Sequence, residues 1–194
     1  MTDSKRLWVL AGGNGSGKTT FYENFLAPGG IKLVNADVIA GIINPNNQEK
    51  ASYEAANIAG EIRKDLIKQG VSFCFETVFS HPSKVDFLAK AKSFGYEIIL
   101  VYIHLETSIL NEARVYQRVK SGGHSVPVAK IHSRIPGTMK NVSLALPLSD
   151  EARLLDNSSK DNPFRQVAIV RRGNCKWLIN PPPVWAKKII NERN

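Results

Sequence analysis

Residues 12–19 read Gly-Gly-Asn-Gly-Ser-Gly-Lys-Thr, which fits G-x-x-x-x-G-K-[ST], the pattern of a phosphate-binding loop. The chemistry behind it is electrostatic. Glycines let the backbone curl until successive N–H groups point into one concavity, and the first turn of a following helix adds its own unpaired donors. In this pattern the Lys reaches the β- and γ-phosphates of a nucleotide and the final hydroxyl ligates Mg²⁺; these are Lys18 and Thr19. Gly12, Gly13, Asn14, Gly15, Ser16 and Gly17 form the cradle, while Ser16 and Thr20 are expected to help the loop or cap the helix. The sequence has no Asn-Lys-x-Asp to specify guanine and no Asp-x-x-Gly switch, so ATP with Mg²⁺ is the expected ligand. Ser121-Gly122-Gly123-His124 lacks the Leu before it and the Gln after it that an ABC signature carries. No run of four apolar residues and Asp-Glu follows closely, which argues against an ABC transporter subunit.

The elements around the loop alternate. An apolar strand over Leu7–Ala11 leads into the glycines, and a helix runs from Lys18 to about Leu26. Then come a short strand (Lys32–Asn35), a long helix (Glu49–Gln69) stopped by Gly70, and a strand (Val71–Phe75). In the long helix Ile58, Ile62 and Leu66 recur every four residues and predict the buried face. A helix over Ser83–Phe94 and a strand over Tyr96–Leu105 follow, the latter apolar enough to be covered on both sides. Thr107–Val119 reads as helix, Ser121–Ser125 as a loop, and Pro127 opens another helix that Pro136 and Gly137 should kink or end. Arg153–Asp156 and Phe164–Val170 read as strands, with Arg172-Gly173-Asn174 turning into Cys175–Ile179 as a hairpin. Pro181–Pro183 precede a short final helix. The predicted fold is α/β: a three-layer P-loop sandwich with a mostly parallel sheet, in one domain over 1–194.

The P-loop followed by Asn35-Ala36-Asp37, Phe75-Glu76-Thr77, Arg118-Val119-Lys120-Ser121-Gly122-Gly123-His124, Val126-Pro127 and Arg134 resembles the zeta-toxin-like P-loop kinases, in particular their short stand-alone branch. The similarity runs from about Leu7 to Asn157. It implies a nucleoside-monophosphate-kinase-like core with a helical lid over about 112–140, and phosphorylation of a sugar hydroxyl on UDP-N-acetylglucosamine at the expense of ATP. By the same resemblance Asp37 is the base, Glu76 and Thr77 hold substrate or magnesium-bound water, and Arg118 and Arg134 belong to a lid closing on the phosphates. An antitoxin-type protein inhibitor is the partner it implies. A carboxylate near the attacking hydroxyl can take its proton, and guanidinium groups offset the charge spreading over the transferred oxygens. Plainer readings stand beside these: Asp37 as a helix cap, Glu76 and Thr77 as a polar strand end, Arg118 as a surface ion pair with Arg114 in its place, His124 as a solvated loop residue rather than a phosphate donor. Asp156-Asn157 resembles a family strand end near the nucleotide, or is a simple turn. Zeta toxins typically follow the base with an aromatic and an arginine; here Val38, Ile39 and Ala40 follow, which leaves the acceptor open.

Composition narrows the alternatives. With 194 residues, 43% of them apolar and 22% charged, the chain can bury one substantial core, which excludes disorder, collagen and disulfide scaffolds. The longest wholly apolar stretch, Ile98–Ile103, is far too short for a bilayer, and no signal-peptide core is visible at the start, so a cytoplasmic protein without membrane association is expected. Cys74 and Cys175 fit a reducing compartment, and they, His81, His104 and His132 show no metal spacing. The net charge is +9, and Lys160 to Asn194 carries eight basic residues against Asp161 and Glu192. That excess admits a nucleic-acid-processing alternative using Arg171, Arg172 and Lys176, or else a solvated basic tail. A nucleotide-sensing ATPase without an acceptor is the third reading.

Overall fold

The computed structural model describes residues 4–191. Strand β1 (Arg6–Ala11) buries Leu7, Val9, Leu10 and Ala11 completely and lies inside the sheet between two parallel neighbours. Its parallel neighbours are β3 (Phe73–Thr77), in register Leu7↔Phe73 and Val9↔Phe75, and β4 (Glu97–His104), in register Leu7↔Ile98 and Val9↔Leu100. β2 (Lys32–Asn35) and β5 (Glu151–Asp156) add parallel strands outside these. β6 (Arg165–Arg171) and β7 (Asn174–Trp177) then extend the β5 side antiparallel, so the order among the described residues is β2-β3-β1-β4-β5-β6-β7. The sheet is mostly parallel, as the alternation predicts.

Side chains alternate across a strand, and here both faces are apolar. Leu7, Val9, Phe73, Phe75, Ile98 and Leu100 enter the larger core; Leu10, Cys74, Val101, Ile103 and Leu155 enter a smaller one. Helices α3 (Gln48–Gln69), α4 (Ser83–Ser93), α6 (Val128–Ala145) and α7 (Val184–Asn191) contribute to the first, and α1 (Lys18–Phe25), through Phe21, to the second. This makes three layers. β4 is buried from Ile98 through His104 and fulfils the expectation of two covered faces. Because all five parallel strands point the same way, their carboxyl ends meet along one rim, where open α/β sheets bind ligands. The P-loop, Asn35, Glu76-Thr77 and Asp156-Asn157 all lie on that rim.

Several expectations need correction. The buried row of α3 is Ala51, Ala55, Ala59, Arg63 and Ile67, while Ile58 and Ile62 remain 37% and 39% exposed. The two rows are one residue apart; small alanines let the packed helix α2 (Ala36–Ile43) approach closely, which hydrophobicity alone does not weigh. β3 starts two residues later than the pattern suggests, because Gly70 and Val71 close α3 with N–H bonds to Ile67 and Leu66 carbonyls. α6 is neither ended nor broken into two helices at Pro136-Gly137: it continues to Ala145. There Thr138 and Asn141 tie it to the Val78 and Phe79 carbonyls, and a Cβ on Gly137 would stand 3.1 Å from the Ser80 carbonyl oxygen. Tertiary anchoring outweighs the missing N–H of proline. The predicted hairpin forms, with Arg172 and Gly173 both at positive φ in a tight two-residue turn.

Candidate active site

The loop after β1 takes its shape from backbone that only glycine adopts without strain. Gly17 has φ 98° and itself occupies the N-cap of α1; a Cβ there would lie 2.5 Å from Asn157 Nδ2. Of the two readings for Ser16 and Thr20, capping does not apply: no side chain caps this helix, Thr20 is exposed and Ser16 is buried under the loop. Lys18 is buried and donates to the Gly12 and Gly13 carbonyls at 3.0 Å each, so the loop supplies its own acceptors for the ammonium. Burial draws the Lys18 pKa below its ordinary value, and the Glu76 and Asp37 charges oppose that shift. Asn14 Oδ1 and Ser16 Oγ are buried with no hydrogen-bond partner. Orphaned polar atoms in such a cradle fit a ligand that is itself polar.

Two asparagines fasten the loop from behind. Asn111 on α5 (Ser108–Lys120) donates to the Asn14 carbonyl at 2.7 Å, and Asn157, just beyond β5, donates to the Ser16 carbonyl at 2.8 Å. Asp156 does form a turn, accepting from the Ser158 N–H and hydroxyl, so the turn reading holds for one residue of that pair while the other supports the loop. Nothing in the sequence around Asn111 signals its role, since its partner lies 97 positions away.

Above the loop a cavity of about 840 Å³ brings most of the candidates together: Asn14, Gly15, Gly17, Lys18, Thr19 and Thr20 with Asp37, Glu76, Thr77, Arg118, His124 and Arg134. Gly12, Gly13 and Ser16 are not among the lining residues; they build the inside of the loop. Glu76 accepts from the Thr19 hydroxyl at 2.8 Å and from Asn35 Nδ2 at 3.0 Å, and its other oxygen lies 3.9 Å from Lys18 Nζ. This hydroxyl–carboxylate pair at the loop has the oxygen chemistry that Mg²⁺ requires. The Thr77 hydroxyl accepts from the Phe79 N–H, which shapes the β3–α4 turn.

Asp37 is not the helix cap. Asn35 is: its side chain accepts the Asp37 N–H at 2.8 Å, leaving the Asp37 carboxylate in the first turn of α2, 55% exposed and directed to the cavity. His124 Nε2 stands 3.3 Å from Asp37 Oδ2 and 3.2 Å from Arg118 Nη2, and Arg118 also donates to the His124 carbonyl at 3.0 Å. The His124 hydrogen bond holds the Asp37 carboxyl below the usual carboxylate range against the opposing effect of burial, helped by the charges of His124, Lys18 and Arg118. His124 therefore faces the proposed base and is only partly exposed. Arg114 also lines the cavity but donates to the Asn157 carbonyl at 2.7 Å, a supporting position behind Arg118.

The AAA domain family matches residues 7–134. The chain belongs to this family. An uncharacterized protein of Haemophilus influenzae is 35% identical over 129 residues, covering 63% of this chain and 91% of that protein. Among solved structures, the AvrRxo1-ORF1:AvrRxo1-ORF2 complex with sulphate ions superimposes with TM-score 0.74 at 18% identity over 96% of this chain, and the same complex with ATP does so at 19%. The chain spans 64% of that protein's length. The PezAT chromosomal toxin–antitoxin system of Streptococcus pneumoniae gives TM-score 0.65 at 14% identity, over 87% of this chain and 72% of the other. The resemblance to zeta-toxin-like P-loop kinases holds at the level of the fold.

Proposed function

We propose that this protein is an ATP-dependent phosphotransferase that moves the γ-phosphoryl group to a hydroxyl of a small acceptor, with UDP-N-acetylglucosamine the acceptor implied by the zeta-toxin resemblance. The observation that carries this reading is that Asp37, ionised and cavity-facing, shares one cavity with Lys18 and Thr19 of the P-loop. Lys18 would exchange the Gly12 and Gly13 carbonyls for phosphate oxygens, and Thr19 with Glu76 would hold Mg²⁺, whose chemistry when bound is to neutralise phosphate charge. Asp37 orients the acceptor hydroxyl and takes its proton as the new oxygen–phosphorus bond forms and the bond to the leaving diphosphate breaks. Arg118 and Arg134 offset charge on the transferred oxygens, and residues 112–140 act as the lid that keeps water from competing. The ATP complex of the AvrRxo1 structure supports nucleotide binding by this fold. The PezAT toxin–antitoxin neighbour supports a protein inhibitor as partner, and the AvrRxo1-ORF1 neighbour is likewise in complex with a second protein, AvrRxo1-ORF2.

The basic C-terminal region gives little support to nucleic-acid processing. Arg165 and Arg171 are paired with Asp156 and Glu151, and Trp185 stacks on His104 at 4.2 Å rather than facing outward. No described helix is long and apolar enough to cross a membrane. The test is transfer of label from γ-labelled ATP to nucleotide sugars. Asp37→Asn should lower transfer by about 10²- to 10⁴-fold while ATP affinity is kept. Full activity in that variant removes Asp37 from the role of base.

A further inference from the structure

The cavity has a second group of cations, away from the P-loop, that the transfer reaction as described leaves unused. Arg63 projects from the buried row of α3 and is only 8% exposed. Its guanidinium lies 5.2 Å from the Phe75 ring and 5.4 Å from the Phe87 ring, and its Nε has no hydrogen-bond partner. Lys84, in the first turn of α4, is close enough that the Arg63 charge, after burial, lowers its pKa. Both side chains line the cavity that holds Asp37.

No carboxylate pairs with either among the described residues. The carboxylates of the cavity are engaged elsewhere: Asp37 with His124, Glu49 with Lys130, and Glu76 with Thr19, Asn35 and Lys18. Two aromatic faces repay only part of what it costs to bury a guanidinium with unfilled hydrogen-bonding capacity. Lys84 also sits at the positive end of a helix dipole, where a cation is disfavoured. Two adjacent cations held in this way, beside a cavity and without internal counter-charge, are arranged to receive an anion from solution.

The geometry points to an anion subsite made by Arg63 and Lys84 on the α3–α4 wall, which binds a phosphate or diphosphate group carried by the acceptor. This rests on the phosphotransferase reading and deepens it: the diphosphate-linked acceptor that the zeta-toxin resemblance implies would be held at its anionic group by Arg63 and Lys84. The nucleotide's own phosphates belong to Lys18 and the loop amides, so the acceptor's anionic group meets the remaining cations. Arg63 can use two N–H groups at once on a phosphate, with Lys84 as a point charge beside it.

The experiment is calorimetric titration of inorganic pyrophosphate, at matched free Mg²⁺, into protein whose P-loop is already saturated with a non-hydrolysable ATP analogue. Wild type should bind pyrophosphate at one further, salt-sensitive site. Lys84→Met should weaken that binding at least about tenfold, as expected for losing a charged hydrogen bond. Arg63→Met should abolish it. Because Arg63 is buried and its replacement can impair folding, the half-buried Lys84 carries the decision, with circular dichroism as the folding check. Wild type that takes up no pyrophosphate once the loop is filled, or a folded Lys84→Met protein that binds it as wild type does, overturns the subsite. The label-transfer assay separates this from the function itself. Transfer to a phosphate-free acceptor leaves the phosphotransferase standing and refutes the subsite, whereas pyrophosphate binding without any transfer retains the subsite and refutes the reaction.

Discussion

Removing the Asn157 side chain tests whether the phosphate loop owes its shape to support from a residue 141 positions later. Asn157 is buried; its Nδ2 donates to the Ser16 carbonyl at 2.8 Å and its Oδ1 accepts from the Phe164 N–H at 3.2 Å. Asn157→Ala deletes both bonds, each worth about 1 kcal/mol net, and leaves two backbone groups short of a partner at a further cost. The expected loss is about 2–4 kcal/mol, which at this chain length lowers Tm by roughly 5–15 °C. Asn157→Asp separates donation from packing, because it keeps the shape and the acceptor for Phe164 but turns an oxygen toward the Ser16 carbonyl. It should be at least as damaging as alanine. Thermal unfolding with and without Mg-ATP reads both consequences, since a misshapen loop also loses the upward shift of Tm that a bound ligand gives. An alanine variant within 2 °C of wild type, with the ligand-induced shift intact, would show that the loop holds its conformation unaided.

Two pH effects follow. His124→Ala removes the main influence that depresses the Asp37 carboxyl, so its pKa should rise and the acid limb of the pH–rate profile should move to higher pH; an unmoved limb means that His124 does not tune the base. Separately, burial pushes His104 down to about 4, against a mild opposing effect of Asp156. The unfolded chain therefore takes up the proton first. Stability is fully present above the ordinary histidine pKa of about 6.5 and declines as pH falls toward 4, by about 3 kcal/mol in all. Urea unfolding at pH 7 and pH 4.5 should show most of this difference in wild type and little of it in His104→Phe, which retains a ring against Trp185; equal slopes in the two proteins refute the assignment.

What the sequence made legible was local. The P-loop needs eight consecutive residues and a strand-to-helix context, and all of these can be read directly; the same holds for the Arg172-Gly173 turn and the apolar run of β4. Features decided by distant partners were not. The buried face of α3 went to alanines because another helix packs closely there, and α6 passes Pro136 because the β3–α4 turn holds it from outside. Asn111 carries no mark, as its only relevant neighbour is the loop nearly a hundred positions earlier. Arg63 did carry one: a lone charge in a row of small residues spaced four apart is a signal that the isoleucine row concealed. Asp37 and His124 could be found separately by resemblance, but their pairing needed the folded chain.

The seam between Ser16 and Asn157 also bears on when the molecule becomes competent during synthesis. The nucleotide loop leaves the ribosome well before the amide that secures it, which is encoded 141 residues later, and domains generally fold as units while translation proceeds from the N-terminus. A nascent or prematurely terminated chain lacking that residue would carry the complete nucleotide motif in an unbraced form. Gaining the ability to grip a triphosphate would thus wait until the 141 residues that follow Ser16, up to Asn157, have been made.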